Sequence, residues 1–424
     1  MLKKLILKNW KSFRDAELPI DPLTVLIGAN ASGKSNIVDA LEFLNRIASN
    51  LQIKTALEGD RLIPPIRGGV EWAARKAEER EKQFTLSMLV TDEETPNEDY
   101  SYSITVGTSP YVRLLDNSLE KVTYNTINPN SVPLFWTDNS KSSDNGIYIK
   151  AKDKKGITIH SNDASSFFVF MPHLIHRRFD FEPDSRYSQE VVAGVELVWK
   201  TLDNIFILNP DISRMRNYSR LSDRLESDAS NIAGVLAALS DEKKQDFEST
   251  VVTYLRHLPE GDIQRVWAEP VGRFGNDAML YCEEEWHPWD MTVVDAWGMS
   301  DGTLRFLAIL TALMTRPKGS QLVIEEVDNG LHPSRVGLLL KMLKEIGEKR
   351  NIDILVTTHN PALLDALDPG MIPFVILAYR DAETGESKLT PVEDIENFPK
   401  LYASASLGQL TAKGAIERSI SRKQ

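Results

Sequence analysis

The chain has 424 residues, of which 42% are hydrophobic and 26% charged, and a formal net charge of −12. This length predicts two domains or one domain with a large insertion. The acidic balance argues against a surface that binds nucleic acid over its whole extent. The single Cys282 excludes an internal disulfide. The sequence has no apolar run of about 18 residues, so no membrane span is predicted. A start without a secretion signal predicts a cytoplasmic protein.

The first elements in chain order are strands predicted at residues 2–9, 16–20 and 23–27. The third is a short apolar run that leads into a glycine-bounded turn, and helical apolar spacing follows at Ile37 and Leu41. A strand, a tight turn and a helix in this order predict an α/β unit with a ligand at the turn.

The turn matches the P-loop pattern at Gly28, Gly33, Lys34 and Ser35, in which backbone N–H groups and a helix N-terminus surround phosphates. Lys34 is predicted to reach the β- and γ-phosphates of a nucleotide, and Ser35 to bind Mg²⁺ through its hydroxyl. Asn30 is a residue type that tolerates the unusual backbone angles of such a turn. The residues predicted to bind nucleotide here are Gly28, Asn30, Ser32, Gly33, Lys34, Ser35 and Asn36.

The middle of the chain has a different pattern. Proline and glycine pairs at 64–65 and 68–69 mark a break, and 71–82 is predicted to be a charged helix or linker. Short alternating segments then predict an inserted antiparallel lobe, with strands at 84–91, 100–106, 111–115, 122–124, 147–151 and 157–160. Helices are predicted at 190–207 and 230–258, and strand-like sequence at 271–292.

Several isolated features have two interpretations each. The acidic run 283–285 could bind a metal, but solvated hairpin charge is favoured. His173 and His176 could form half of a zinc site, but no further His or Cys lies nearby at the spacing of zinc ligands. For Cys282, a role as a small buried hydrophobic residue is favoured over a role as a nucleophile. The basic runs are candidates for a local polyanion groove, although solvated surface charge is favoured; they are 150–155, 177–178 and 418–423.

A second set of polar residues begins at 299–305, with the sequence MSDGTLR. Its Ser-Asp-Gly-Thr turn opens an apolar helix, an arrangement that favours phosphate binding. The strand predicted at 321–326 ends in two carboxylates. In a P-loop ATPase such acids hold Mg²⁺ and orient or deprotonate the attacking water, and we assign these roles to Glu325 and Glu326 respectively.

A further strand, predicted at 352–357 after a helix at 334–349, leads to the last candidate. Asn360 as N-cap and Pro361 at the first helical position start a short helix, which places His359 at the carboxyl end of the strand. Ligands of doubly wound sheets collect at those ends. His359 is therefore predicted to hydrogen-bond a γ-phosphate or the lytic water.

The order P-loop, SDGTLR, VIEEVDNGLHP, TTHNP resembles the ABC-type ATPases of the RecF/SMC branch, and specifically the AAA ATPases of the OLD-like kind. The resemblance covers residues 1–50 and about 290–380 closely. It implies a P-loop NTPase head of the ABC type, an α/β fold with the inserted antiparallel β lobe and a helical segment. In that family ATP is clamped between two heads, which implies a head-to-tail homodimer or higher oligomer. Carried over, Ser300, Gly302 and Thr303 would complete the pocket of the second copy, and Asp328 would lie at the dimer seam.

Three departures from the family pattern bear on these roles. The usual Leu-Ser-Gly-Gly signature is Met-Ser-Asp-Gly here, at 299–302. The acid expected to hold Mg²⁺ is ordinarily Asp and here is Glu325. The Q-loop of the family has no recognisable motif here, and Gln52 is a candidate for its glutamine on position alone. Residues 381–424 are too few for the Toprim nuclease of OLD proteins, so the resemblance implies a separately encoded effector.

The resulting prediction divides the chain into an N-terminal part of the head at 1–60, an inserted region at 61–290 and a C-terminal part of the head at 291–424. The predicted function is an ATP-hydrolysing subunit that dimerises around ATP and Mg²⁺ and controls a partner nuclease or toxin in DNA-related anti-phage defence. The alternatives are a RecF-like repair ATPase that contacts DNA and a slow nucleotide-gated scaffold, which Glu325 favours. A transporter subunit is disfavoured by the signature and the β insertion.

Overall fold

A computed structural model describes residues 1–76, 82–92, 95, 97–124, 129–142, 146–151, 157–160, 186–255, 263–287 and 290–421. The chain forms two compact units. The first unit comprises Met1–Asp21, Ala29–Ile205 and Leu377–Thr390; the second comprises Pro22–Gly28, Phe206–Ile376 and Pro391–Gln424. The candidate histidines at 173 and 176, the arginines at 177–178 and most of the basic run 150–155 lie outside the described residues.

The described residues form strands and α-helices that alternate irregularly along the chain. The strands are β1 (Leu2–Trp10), β2 (Phe13–Pro19), β3 (Leu23–Ile27), β4 (Gln83–Thr91), β5 (Glu98–Gly107), β6 (Arg113–Tyr124), β7 (Pro129–Thr137), β8 (Gly146–Ala151), β9 (Ile157–His160), β10 (Ile205–Leu208), β11 (Ser219–Arg220), β12 (Ile263–Val271), β13 (Asp277–His287), β14 (Asp290–Asp295), β15 (Gln321–Ile324), β16 (Asp353–Thr358), β17 (Val375–Arg380) and β18 (Ser387–Pro391). The α-helices are α1 (Lys34–Ala48), α2 (Ile53–Glu58), α3 (Gly69–Ala73), α4 (Arg186–Asp203), α5 (Ile212–Met215), α6 (Ile232–Ala238), α7 (Asp241–Leu255), α8 (Asp301–Thr315), α9 (Pro333–Arg350), α10 (Pro361–Asp365), α11 (Phe398–Ser404), α12 (Leu407–Ala412) and α13 (Ala415–Ser421).

The first unit is built on antiparallel strands in the order β2-β1-β4-β5-β6-β7-β8-β9. Strand β4 shows the period-two pattern on which the sheet depends, because buried residues alternate with exposed or half-buried ones along it. The predicted antiparallel lobe is therefore confirmed for the described strands.

Helix α1 is held in the first unit by an aromatic cluster. The ring of Trp10 lies 6.0 Å from that of Phe43 on α1 and 4.7 Å from that of Phe84 on β4, measured between centroids. The indole N–H of Trp10 also donates to the carbonyl of Asn36, at 2.6 Å. These contacts fix the first turn of α1, which follows the glycine-bounded loop, against β1.

The second unit contains the parallel strands β15, β16 and β3, adjacent in that order. Every residue of the three strands is buried, as is usual for parallel strands covered on both faces. Ile324 pairs with Val356, and Thr358 with Ile27. The carboxyl ends of the three strands therefore lie at one edge, where Glu325, His359 and Gly28 follow them.

A smaller sheet of the second unit contains β11, β13, β12 and β14. Ala278, Leu280 and Cys282 of β13 are buried, so the cysteine occupies a core position. The acidic run 283–285 follows on the same strand.

The boundaries of several elements differ from the sequence prediction. The predicted helix 190–207 ends at Asp203, and its last apolar residues form β10 because a run of four apolar residues suits either structure. The predicted helix 230–258 is two helices, α6 and α7, separated near Ser240, where Asp241 and Glu242 provide a helix start. Strand β7 was not predicted. Within the described residues no helix is long and apolar enough to cross a membrane.

The segments predicted at 111–115 and 122–124 form one continuous strand, β6. The polar residues between them suggested a turn. In the structure, Asn117 is buried, its side-chain amide donates to the hydroxyl of Tyr102 at 2.9 Å, and its backbone N–H donates to Thr137 at 2.8 Å. Cross-strand hydrogen bonds thus allow a polar residue inside the strand.

Candidate functional site

The turn after β3 has a backbone suited to phosphates. Gly28, Ala31 and Gly33 have positive φ angles of 145°, 63° and 113°. The prediction that Asn30 takes the unusual backbone angles is wrong, since the left-handed residue is its neighbour Ala31. That conformation costs an alanine about 1–2 kcal/mol, so the turn is imposed by its surroundings rather than by local preference. The exposed Asn30 side chain remains a predicted nucleotide contact.

Gly33 is required for steric reasons as well. A Cβ atom at this position would lie 2.7 Å from the Oγ of Ser387 and 2.9 Å from the ring of Phe13. The chain can therefore enter α1 at this point only with glycine, which explains the second glycine of the pattern physically.

The side chains of the loop fit a phosphate group. Ser32 is buried, and its Oγ has no hydrogen-bond partner among the described residues. A buried hydroxyl without a partner costs about 1–3 kcal/mol, which a phosphate oxygen would recover. Lys34 is 8% exposed, and its Nζ donates to the carbonyl of Ala29 at 2.9 Å, so its charge is held at the loop beside the N-terminus of α1.

Ser35 and Asn36 lie on the first turn of α1. The carbonyl of Ser35 accepts a hydrogen bond from Arg67 at 2.9 Å. The side-chain amide of Asn36 donates to the Oγ of Ser12 at 2.7 Å, and Ser12 is also bonded to Ser387 at 2.7 Å. Asn36 therefore joins α1 to the turn between β1 and β2, while Ser35 is half-buried at the loop.

The predicted catalytic pair comes together in the second unit. His359 Nδ1 lies 3.7 Å from Glu326 Oε1, and the two side chains are 52% and 47% exposed. Glu325 precedes this pair at the end of β15 and is half-exposed. A carboxylate and an imidazole that reach solvent side by side at the carboxyl end of parallel strands are suited to positioning a water molecule and accepting its proton.

The backbone of Glu326 is unusual and held from two sides. Its φ angle is 48°, in the left-handed region. Its N–H donates to Thr357 Oγ1 at 2.9 Å, and its carbonyl accepts from Arg305 Nη1 at 3.2 Å. The direction of the Glu326 side chain therefore depends on two neighbouring elements, β16 and α8.

Asp328 occupies a structural position close by. Its buried carboxylate accepts a hydrogen bond from Thr358 Oγ1 at 2.7 Å. The same hydroxyl accepts from the N–H of Asn360 at 3.0 Å. The predicted N-cap is confirmed, because Asn360 Oδ1 accepts from the N–H of Ala362 at 2.9 Å with Pro361 at the first helical position. The loop after β15 is thus tied to the strand end that carries His359.

The Ser-Asp-Gly-Thr turn begins α8 as predicted. Ser300 is the N-cap, its Oγ accepts from the N–H of Thr303 at 3.1 Å, and the two hydroxyls lie 2.8 Å apart. Gly302 has little space, since an added Cβ would lie 3.1 Å from Arg335 Nη1 and 3.2 Å from the carbonyl of Gly330. The helix N-terminus and the Ser300 hydroxyl are features that favour an anion.

Arg216 is the ion-pair partner of the aspartate in the altered signature. Its Nη2 lies 2.5 Å from Asp301 Oδ1, and its Nη1 donates to the carbonyls of Ala296, Trp297 and Met299, each at 2.8 Å. One guanidinium thus holds the loop before α8 and the first residue of the helix together. Sequence reasoning missed this residue, because it lies 85 positions from Asp301 and no spacing pattern links them.

The structure therefore places the predicted residues in two groups. The first unit contains Asn30, Ser32, Gly33, Lys34, Ser35 and Asn36; the second contains Gly28, Ser300, Gly302, Thr303, Glu325, Glu326, Asp328 and His359. Gly28 follows Ile27, which pairs with Thr358. The P-loop thus begins beside the strand end that carries His359.

A family model described as "AAA domain, putative AbiEii toxin, Type IV TA system" matches residues 23–365. This match spans the P-loop, the Ser-Asp-Gly-Thr turn at 300–303 (the signature turn), the paired glutamates and His359. It leaves out only the two ends of the chain.

Curated relatives match over shorter segments. An OLD nuclease of Thermus scotoductus is 41% identical over 44 residues, which are 10% of this chain and 8% of that protein. The DNA replication and repair protein RecF of a Synechococcus strain is 41% identical over 49 residues, 11% of this chain and 13% of that protein. The chain thus spans only 8% and 13% of the length of these two relatives.

Among solved structures, an SMC head bound to the C-terminal winged-helix domain of ScpA aligns with a TM-score of 0.49 and 14% identity. The alignment covers 92% of this chain and 96% of that one.

Proposed function

The chain belongs to this AAA-domain family, and we propose that it binds ATP at the P-loop and hydrolyses it with Glu326 and His359. The observation that supports hydrolysis most directly is the 3.7 Å approach of His359 Nδ1 to Glu326 Oε1 at the carboxyl edge of the parallel strands. Lys34 holds the phosphates, Glu326 accepts a proton from the attacking water, and His359 hydrogen-bonds the γ-phosphate or that water.

The proposal extends to Mg²⁺, for which the side chains present are suitable. Ser35 and Glu325 are both partly exposed and offer a hydroxyl and a carboxylate, and Mg²⁺ prefers oxygen ligands and keeps several waters. When bound, the ion neutralises charge that develops on the phosphates. Glu325 has a longer side chain than the usual Asp. Its carboxylate therefore either contacts the ion directly or supports slower hydrolysis.

We also propose that two copies associate head to tail, each completing the nucleotide site of the other with Ser300, Gly302 and Thr303. The N-terminus of α8 and the hydroxyl of its N-cap, Ser300, support this role. In the loop that carries Asp328, the neighbouring Asn329 and Gly330 are exposed, which supports a position at the seam. Hydrolysis would then release the two heads.

The proposed biological role is control of a separately encoded effector, a nuclease or toxin, in anti-phage defence. The family description, which names a toxin and a toxin–antitoxin system, supports this role, as does the short match to an OLD nuclease. The match to RecF supports a second candidate, a repair ATPase that binds DNA. A cytoplasmic location agrees with both candidates.

Phosphate release from the purified chain, measured with Mg²⁺ and ATP in the presence and absence of double-stranded DNA, tests the proposal. We expect release that requires Mg²⁺ and stops on chelation. Stimulation by DNA, together with DNA affinity that falls steeply with salt, would favour the RecF-like role because counterion release scales with the phosphates contacted. If ATP binds but no phosphate is released under any condition, the hydrolytic role is wrong and the nucleotide-gated scaffold is favoured.

A further inference from the structure

Arg305 is a buried cation that has no part in the proposed chemistry of Lys34, Glu326 and His359. It lies on α8 and is 7% exposed. Burial lowers the pKa of the Arg305 guanidinium, while the nearby carboxylates of Asp328 and Glu326 act in the opposite direction. A buried guanidinium requires hydrogen-bond acceptors, and one of these is the main-chain carbonyl of Glu326, 3.2 Å from Nη1.

The residue that receives this bond is in a conformation that has to be enforced. A glutamate at a φ of 48° is disfavoured by about 1–3 kcal/mol and persists only where its surroundings hold it. The N–H of Glu326 is bonded to Thr357 on β16, and its carbonyl to Arg305 on α8. Removing either bond should let the backbone relax and turn the carboxylate away from His359.

The other end of the connection is the signature turn. Arg305 lies five residues after Ser300, which is the N-cap of the same helix, and five residues correspond to about 7.5 Å along the axis. A single helix turn or two is stiff, so a displacement at Ser300 would be transmitted along α8 to Arg305 and, through its hydrogen bond, to the Glu326 carbonyl.

We propose that Arg305 is a positioning residue that couples the signature turn to the backbone of Glu326. This inference rests on the proposed roles of Glu326 in hydrolysis and of Ser300 in contacting the nucleotide of the second copy. Arg305 contacts neither phosphate nor water in this scheme. It keeps Glu326 in its left-handed conformation, and engagement of Ser300 by nucleotide adjusts that conformation through α8.

The first test measures both the turnover and the nucleotide affinity of Arg305→Met and Arg305→Lys. We expect Arg305→Met to lower kcat about 10- to 100-fold, the range for a lost hydrogen bond to a charged group, with ATP affinity within about twofold of the unsubstituted chain. Arg305→Lys keeps the charge and should recover part of the loss. The matched control is Arg350→Met, which removes another partly buried arginine of the second unit, bonded to the carbonyl of Arg316 at 2.9 Å.

A double-mutant comparison separates positioning from general stabilisation. In a Glu326→Gln background, Arg305→Met should have almost no further effect on turnover, because it acts through the residue already replaced. An equal fold-loss in both backgrounds would overturn the proposal. So would an unchanged kcat in a folded Arg305→Met protein.

Hydrogen exchange gives a readout that does not require activity. Amides in the peptide covering residues 321–331 should exchange faster in Arg305→Met than in the unsubstituted chain, and should not change in Arg350→Met. Unchanged exchange in Arg305→Met would contradict the coupling even in a chain without ATPase activity. Absence of phosphate release from the unsubstituted chain, by contrast, would count against the proposed function and leave the exchange result to decide the role of Arg305.

Discussion

Glu326→Gln is expected to lower the rate of phosphate release by about 10²- to 10⁴-fold, the range for loss of a general base, and to leave ATP binding intact. Glutamine has nearly the same shape as glutamate but does not accept the proton of the attacking water. Because the Glu326 side chain is 47% exposed, the substitution should not disturb packing. The nucleotide-bound dimer should accumulate, since its release depends on hydrolysis.

The control for this substitution is Glu348→Gln, an exposed glutamate on α9, which should leave turnover unchanged. Single-turnover kinetics and nucleotide affinity should be measured on the same preparations. Undiminished phosphate release from Glu326→Gln would remove this residue from the role of base and leave His359 or another group to activate the water.

Lys34→Ala is expected to weaken ATP binding by about 10- to 100-fold, because a hydrogen bond to a charged group contributes about 1.5–3 kcal/mol. Lys34 as a whole is 8% exposed, and its Nζ is bonded to the carbonyl of Ala29. No other Lys or Arg lies among residues 28–36, so no other side chain of the loop can supply the lost charge. Thermal unfolding with and without ATP measures the effect, since a ligand that binds only the folded chain raises the midpoint.

In Lys34→Ala the rise in midpoint with ATP should nearly disappear, while the midpoint without ATP should stay close to that of the unsubstituted chain. Lys54→Ala is the matched control, because Lys54 lies on α2 with a side chain that is 66% exposed and pairs with Glu58. An ATP-dependent rise that survives in Lys34→Ala would place the nucleotide elsewhere.

Much of the local structure of the candidate site could be predicted from residues that are neighbours in the sequence. The strand, turn and helix around Gly33 and the cap at Asn360 depend on neighbouring residues, so they could be predicted from spacing alone. The position of His359 follows from the end of a buried strand. These predictions need only that a short segment adopt one regular structure.

The connections that orient the site could not be predicted in this way. Arg216 reaches Asp301 across 85 positions and Arg305 reaches Glu326 across 21, and their charges are compatible with many surface positions. The left-handed φ angles of Ala31 and Glu326 are similarly set by tertiary contacts, against the preference of both residue types. A polar residue inside a strand, such as Asn117, suggests a turn until its cross-strand partners are known.

The proposed nucleotide site shared between two copies is tested most directly by complementation between two inactive chains, Lys34→Ala and Ser300→Arg. In a head-to-tail dimer, a mixed pair keeps one site with an intact P-loop from one copy and an intact signature turn from the other. Each variant alone should be nearly inactive, and an equal mixture should recover roughly a quarter of the unsubstituted turnover, since half the dimers are mixed and each has one of two sites. A mixture that exchanges subunits yet remains as inactive as either variant alone would contradict the shared site.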